Sequence, residues 1–174
     1  MRREGRLVAM KPWLVLCAVT AVGVWQLLSH YGELPDRVAS HFSASGVPDG
    51  FSSKQSFLTT SCILFGSVFV FAGGLGWLLR FVPSSMINLP NRGYWLAPER
   101  RAATIGVLSR FLLWYGAATQ LFLVSVLALV VEYNVDHVST WSMGIFWVFL
   151  GGYLAYSLGS LVWLFRRFPK PPTG

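Results

Sequence analysis

Four apolar stretches, at residues 12–31, 57–82, 104–133 and 141–165, constrain this chain more than any other feature. About 20 apolar residues in helical form cross roughly 30 Å of hydrocarbon, and each stretch reaches that length. In lipid each must be helical, because an open strand leaves backbone N–H and C=O groups without partners. The expected fold is an all-α integral membrane protein, a single domain of four transmembrane helices in a bundle. Composition agrees. Of 174 residues, 54% are hydrophobic and 12% charged, about half the usual charged share. A water-soluble domain this poor in charge could not cover its own surface. That excludes a soluble enzyme, a disordered chain and an ordinary nucleic-acid-binding domain. The first stretch follows a basic leader, MRREGRLVAMK. Its apolar run is longer than a signal peptide's and no small-residue cleavage site follows it, so it reads as an anchor. Cys17 and Cys62 lie inside apolar runs and read as free thiols in lipid or helix packing.

The placement of Lys and Arg sets the expected orientation. Twelve of the fourteen fall in the leader, the 83–103 loop with its helix ends, and the C-terminal tail; only Arg37 and Lys54 fall on the other side. The acids divide the opposite way, with Glu33, Asp36, Asp49, Glu132 and Asp136 facing Arg37 and Lys54. Both termini are thus expected in the cytoplasm, with the 83–103 loop beside them and the 32–54 loop external. The net charge of +7 is then a topology signal, and the basic face suits anionic lipid headgroups rather than nucleic acid. All three histidines, His30, His41 and His137, fall on the external side or at its membrane edge.

The external loop reads GELPDRVASHFSASGVPDGFSSK. Val47-Pro48-Asp49-Gly50 has the composition of a β-turn, with Pro second and Gly fourth. Ser43-Ala44-Ser45-Gly46 predicts another reversal, with Gly46 free to take positive φ. Val38, Phe42, Val47 and Phe51 are expected to pack the loop onto the helix ends. Ser52 and Gln55 have capping-box spacing before the second span. In the cytoplasmic loop, Leu89–Gly93 is a turn signature, and Pro98 and Glu99 suit the first turn of a helix.

Leu34-Pro35, His41-Phe42, Gly46-Val47-Pro48-Asp49-Gly50-Phe51 and Lys54 follow directly on a first span. In this the chain resembles the bacterial domain-of-unknown-function family found at the N-terminus of SdpI-type toxin-immunity membrane proteins. The resemblance covers the first two spans and their loop, about a third of the chain. It implies immunity or signalling of the SdpI type.

His41, Asp49, Glu33 and Asp36, with His30, are the groups that could sense protons or hold a divalent metal. The plainer reading is architectural: Asp49 serves its turn, Asp36 pairs with Arg37, and His41 bonds within the loop. No metal-ligand spacing is present, and no cofactor is expected. The external-loop binding candidates are therefore His41, Asp49, Gly50 and Asp36. Gln120 lies mid-span, where a polar group marks either function or an interhelical hydrogen bond, the favoured reading. Gly151, Ala155 and Gly159 on the fourth span, and Ala72 and Gly76 on the second, are spaced for close helix packing, within the bundle or against a second copy or another subunit. No nucleophile elbow, phosphate loop or membrane-protease motif appears, so no catalytic residue is expected. Binding or sensing at the external face is the favoured function. An accessory subunit of a larger membrane complex and a small transporter or channel are the alternatives.

Overall fold

The computed structural model describes residues 2–136 and 143–171, with side chains from Lys11 onward; His137 and the predicted start of the fourth span at Trp141 lie outside them. The chain is mostly helical. Helix α1 runs Arg2–Ser29, α2 Lys54–Leu78, a short α3 Arg92–Trp95, α4 Pro98–Val135 and α5 Met143–Arg167. Four of these helices are long and apolar enough to cross a membrane, as a multi-pass membrane protein requires. Large apolar side chains stand exposed around the outside, among them Trp25, Val70, Phe71 and Val148. In water such a surface would associate; in lipid it is solvated. Cys17 and Cys62 are free and exposed on the same surface rather than packed between helices.

Helix α4 is the hub, with α1, α2 and α5 all packed on it. Small residues let backbones approach, as expected where lipid gives apolar groups little reason to prefer protein. A side chain on Gly116 would overlap the Cβ of Ala72, and one on Gly23 would meet Val124. Ser109 Oγ donates to the Gly76 carbonyl at 2.6 Å. The Ala72 and Gly76 pair is therefore used against α4. Gly151, Ala155 and Gly159 are not used inside the chain: all three are exposed, and neither glycine has a neighbour within 4 Å of an added Cβ. Packing of this stripe within the bundle is corrected accordingly.

One end is closed by the segment between α2 and α4. Ile87, Leu89, Leu96, Ile105 and Phe168 form its apolar cluster. Asn91, at φ 54°, takes the left-handed turn that opens α3, inside the predicted Leu89–Gly93 signature. Pro98 stands in the first turn of α4 with Glu99 beside it, as expected.

At the opposite end the predicted two-turn loop is instead a β-hairpin. Strand β1, Arg37–Phe42, pairs antiparallel with β2, Pro48–Ser53. The only reversal is at Ser43–Val47, where Ser43 N–H donates to the Val47 carbonyl at 2.8 Å and Gly46 N–H to the Ser43 carbonyl at 2.9 Å. Gly46 takes φ 82°, as its position predicts. Val47-Pro48-Asp49-Gly50 is not a turn: Pro48 opens β2, the edge position where a strand tolerates proline. The cap of α2 is shifted by one residue. Ser53, not Ser52, is the N-cap and accepts from Ser56 N–H; it is also the last residue of β2, opposite Arg37.

Candidate functional site

The hairpin sits on the ends of α1, α2 and α4 and is fixed from beneath. Val38 is fully buried among Leu27, Phe57, Leu127 and Val130. Phe42 meets Tyr133 edge-to-face, centroids 4.9 Å apart. Val47 and Phe51, expected to pack down, are exposed instead. The polar anchor is Asn134, one residue from the end of α4 and buried. Its Oδ1 accepts from Ala39 N–H at 2.8 Å, and its Nδ2 donates to the Ala39 carbonyl at 3.0 Å and the Val130 carbonyl at 2.8 Å. One side-chain amide thus stands in for a neighbouring strand and satisfies both backbone groups of Ala39. A second anchor is Lys54, whose Nζ donates to the Leu34 carbonyl at 2.9 Å and the Gly32 carbonyl at 3.2 Å, above the Tyr31 ring.

On the outer side of this base stand His41 and Asp49. The ladder runs Ala39 opposite Phe51, His41 opposite Gly50 and Phe42 opposite Pro48. Ser40 and Asp49 are left without cross-strand partners, a local irregularity of the kind that re-aims side chains. His41 Nδ1 and Asp49 Oδ1 lie 2.5 Å apart, and their side chains are 74% and 49% exposed. Gly50 makes room for this pair: a Cβ there would stand 2.7 Å from the Cβ of His41. Close approach, not a positive φ, is what position 50 needs. With Nδ1–H donating to the carboxylate, Nε2 points its lone pair outward as an acceptor, and it has no partner among the described residues.

The other candidates separate. Asp36 and Asp49 border one shallow depression, which Arg37 also lines. Asp36 does not pair with Arg37, whose guanidinium lies 4.3 Å over the Phe51 ring; among the described residues no Lys or Arg meets a carboxylate, and His41–Asp49 is the one basic–acidic side-chain contact. His30, just past the end of α1, donates to the Gln26 carbonyl of that helix. No three His, Cys, Asp or Glu among the described residues lie together as metal ligands would. Gln120 is completely buried and binds α4 to α1 and α2: its Nε2 donates to Thr20 Oγ1 at 3.0 Å and to the Phe65 carbonyl at 3.1 Å. The favoured interhelical reading of Gln120 is what the structure shows.

Residues 14–65 match the model of a domain of unknown function, DUF1648. The match takes in α1 from Leu14, the whole hairpin and α2 as far as Phe65. It therefore contains His41, Asp49, Gly50 and Lys54, while Asn134 lies outside it. No curated protein and no solved structure matches the chain.

Proposed function

We propose that this chain is a small, non-enzymatic protein of the bacterial inner membrane, with both termini cytoplasmic. It binds or senses a ligand or partner at its external face, as SdpI-type immunity or signalling would require. The observation that carries this reading is the display of His41 and Asp49. A hairpin held from below by Asn134 and Lys54 presents a hydrogen-bonded imidazole and carboxylate to solvent, with Nε2 unoccupied. A loop needed only to join two helices has no use for an exposed pair so held. The domain match over the same residues supports placing the function there.

The test is complementation of a strain lacking the protein by His41→Ala and Asp49→Ala. The expected result is loss of the phenotype at normal protein level and normal melting temperature. Full complementation by both variants at normal abundance overturns the reading.

The exposure of α5 favours a second role, as an accessory subunit of a larger membrane complex. Gly151 and Ala155 lie open on α5, ready for a close helix partner, and Gly159 is exposed along the groove between α4 and α5. Purification without crosslinker separates the two readings: a stable stoichiometric partner or homo-oligomer points to the subunit.

A further inference from the structure

Helix α4 is also the floor of a long furrow between α1 and α5. Toward the arginine-rich end the furrow opens into a cavity of about 660 Å³. A second cavity of about 610 Å³ continues it along the helices, and Trp114 and Tyr156 border both. From Arg110 to Ser125 it follows α4 for about 22 Å at the helical rise of 1.5 Å per residue. That exceeds the roughly 15 Å depth of one leaflet's hydrocarbon.

Three cations converge on the mouth: Lys11 from α1, Arg110 from α4 and Arg167 from α5. Among the described residues no carboxylate borders it. Other arginines at this end are engaged by the fold. Arg92, Arg100 and Arg101 donate to the carbonyls of Ser85, Tyr94 and Val82 at 2.9, 2.9 and 2.7 Å. Lys11, Arg110 and Arg167 form no hydrogen bond or ion pair with any described residue. Farther along, the walls are apolar, with Val15 and Val19 on one side and Val148 and Phe149 on the other.

We propose that this furrow binds one anionic phospholipid. Its phosphate diester sits among Lys11, Arg110 and Arg167, and an acyl chain runs along α4 between α1 and α5. The charge pattern selects this occupant. A soluble phosphate leaves the apolar length unfilled, and a zwitterionic lipid leaves three cations without net compensation. The α5 of a second copy carries no Asp or Glu to meet them.

The test is native mass spectrometry of the full chain, released from detergent with phosphatidylglycerol and phosphatidylcholine present in equal amounts. Retention of one phosphatidylglycerol, preferred about tenfold or more over phosphatidylcholine, is expected from the usual attraction per cation. Lys11→Gln with Arg167→Gln should abolish the preference; these two are chosen because Arg110 also borders a crevice beside α2. Arg166→Gln with Lys170→Gln removes the same charge outside the furrow and should leave the preference intact. Gly152→Trp, on an open wall where an added side chain meets nothing, should lower retention of lipid of either class. Equal loss in the two charge variants would reduce the effect to surface electrostatics and overturn the site. So would displacement of the lipid by excess glycerol phosphate, or a dimer that disappears in Gly152→Trp.

Discussion

Helices α2 and α5 are each 25 residues long and both apolar enough to cross a membrane, yet they are held very differently. In the most apolar stretch of α2, 22% of residues are buried; in that of α5 the figure is 6%. Helix α2 meets α4 through matched small residues at Ala72, Gly76 and Gly116, a hydroxyl on the Gly76 carbonyl, and Gln120 on the Phe65 carbonyl. Helix α5 touches α4 through Tyr153, which bonds Thr119 at 2.9 Å and stacks on Phe122. Apolar content is therefore no guide to packing in lipid, where a leucine is as well solvated by acyl chains as by protein. Opposed small residues and interhelical hydrogen bonds decide it. The tightly held helices α1, α2 and α4 carry the hairpin, and the loosely held α5 leaves the furrow.

Breaking that contrast should produce unequal effects. Gly116→Leu drives a side chain into Ala72 and should destabilise by at least about 2 kcal/mol, at the upper part of the overpacking range. Gly151→Leu, on the open side of α5, should change stability by less than about 0.5 kcal/mol. Thermal unfolding of the two detergent-solubilised variants checks this; equal losses would mean that α5 is packed as α2 is. Next in size is Asn134→Ala. It leaves the buried N–H and C=O of Ala39 unpaired, at about 1–3 kcal/mol, and should raise hydrogen exchange at Ala39 far more than in mid-α4. Unchanged exchange would remove Asn134 as the hairpin's anchor. The smallest expected difference separates the Gln120 and Tyr153 hydrogen bonds. Gln120→Ala should cost about 1 kcal/mol and Tyr153→Phe about half that. Melting curves with the reverse order would place the stronger lock on α5.

The four membrane helices were legible from length and apolar content because a spanning segment has no other backbone solution. Their partners were not. The stripe at Gly151, Ala155 and Gly159 has the same spacing as the pair at Ala72 and Gly76, and spacing cannot say whether a complementary surface stands opposite. The hairpin was missed for a related reason. Pro48-Asp49-Gly50 carries turn chemistry, but the turn at Gly46 already reverses the chain, and Val38 and Phe42 are pulled onto the helix ends. Once β1 is placed there, the ladder draws residues 48–53 into register. That His41 bonds within the loop was anticipated; that its partner is Asp49 was not specified. Asn134 was not singled out, though an Asn in the apolar run that ends α4 is a visible signal for a buried amide seeking backbone partners. Lys54 appeared only in the charge count and within the resemblance, and its role depends on carbonyls of Gly32 and Leu34, which no pattern of side chains reveals.

The central claim is that the hairpin stands outside the membrane, opposite the basic face, with its His41–Asp49 surface open to a partner. Cysteine accessibility in intact cells tests this most directly. With Cys17 and Cys62 replaced by Ala, a cysteine is introduced either at Ser45, exposed on the hairpin turn, or at Lys170, beyond α5. A membrane-impermeant maleimide should label the Ser45→Cys protein in intact cells and the Lys170→Cys protein only after lysis. Labelling of Lys170→Cys from outside, with Ser45→Cys protected until lysis, would invert the molecule and contradict the account.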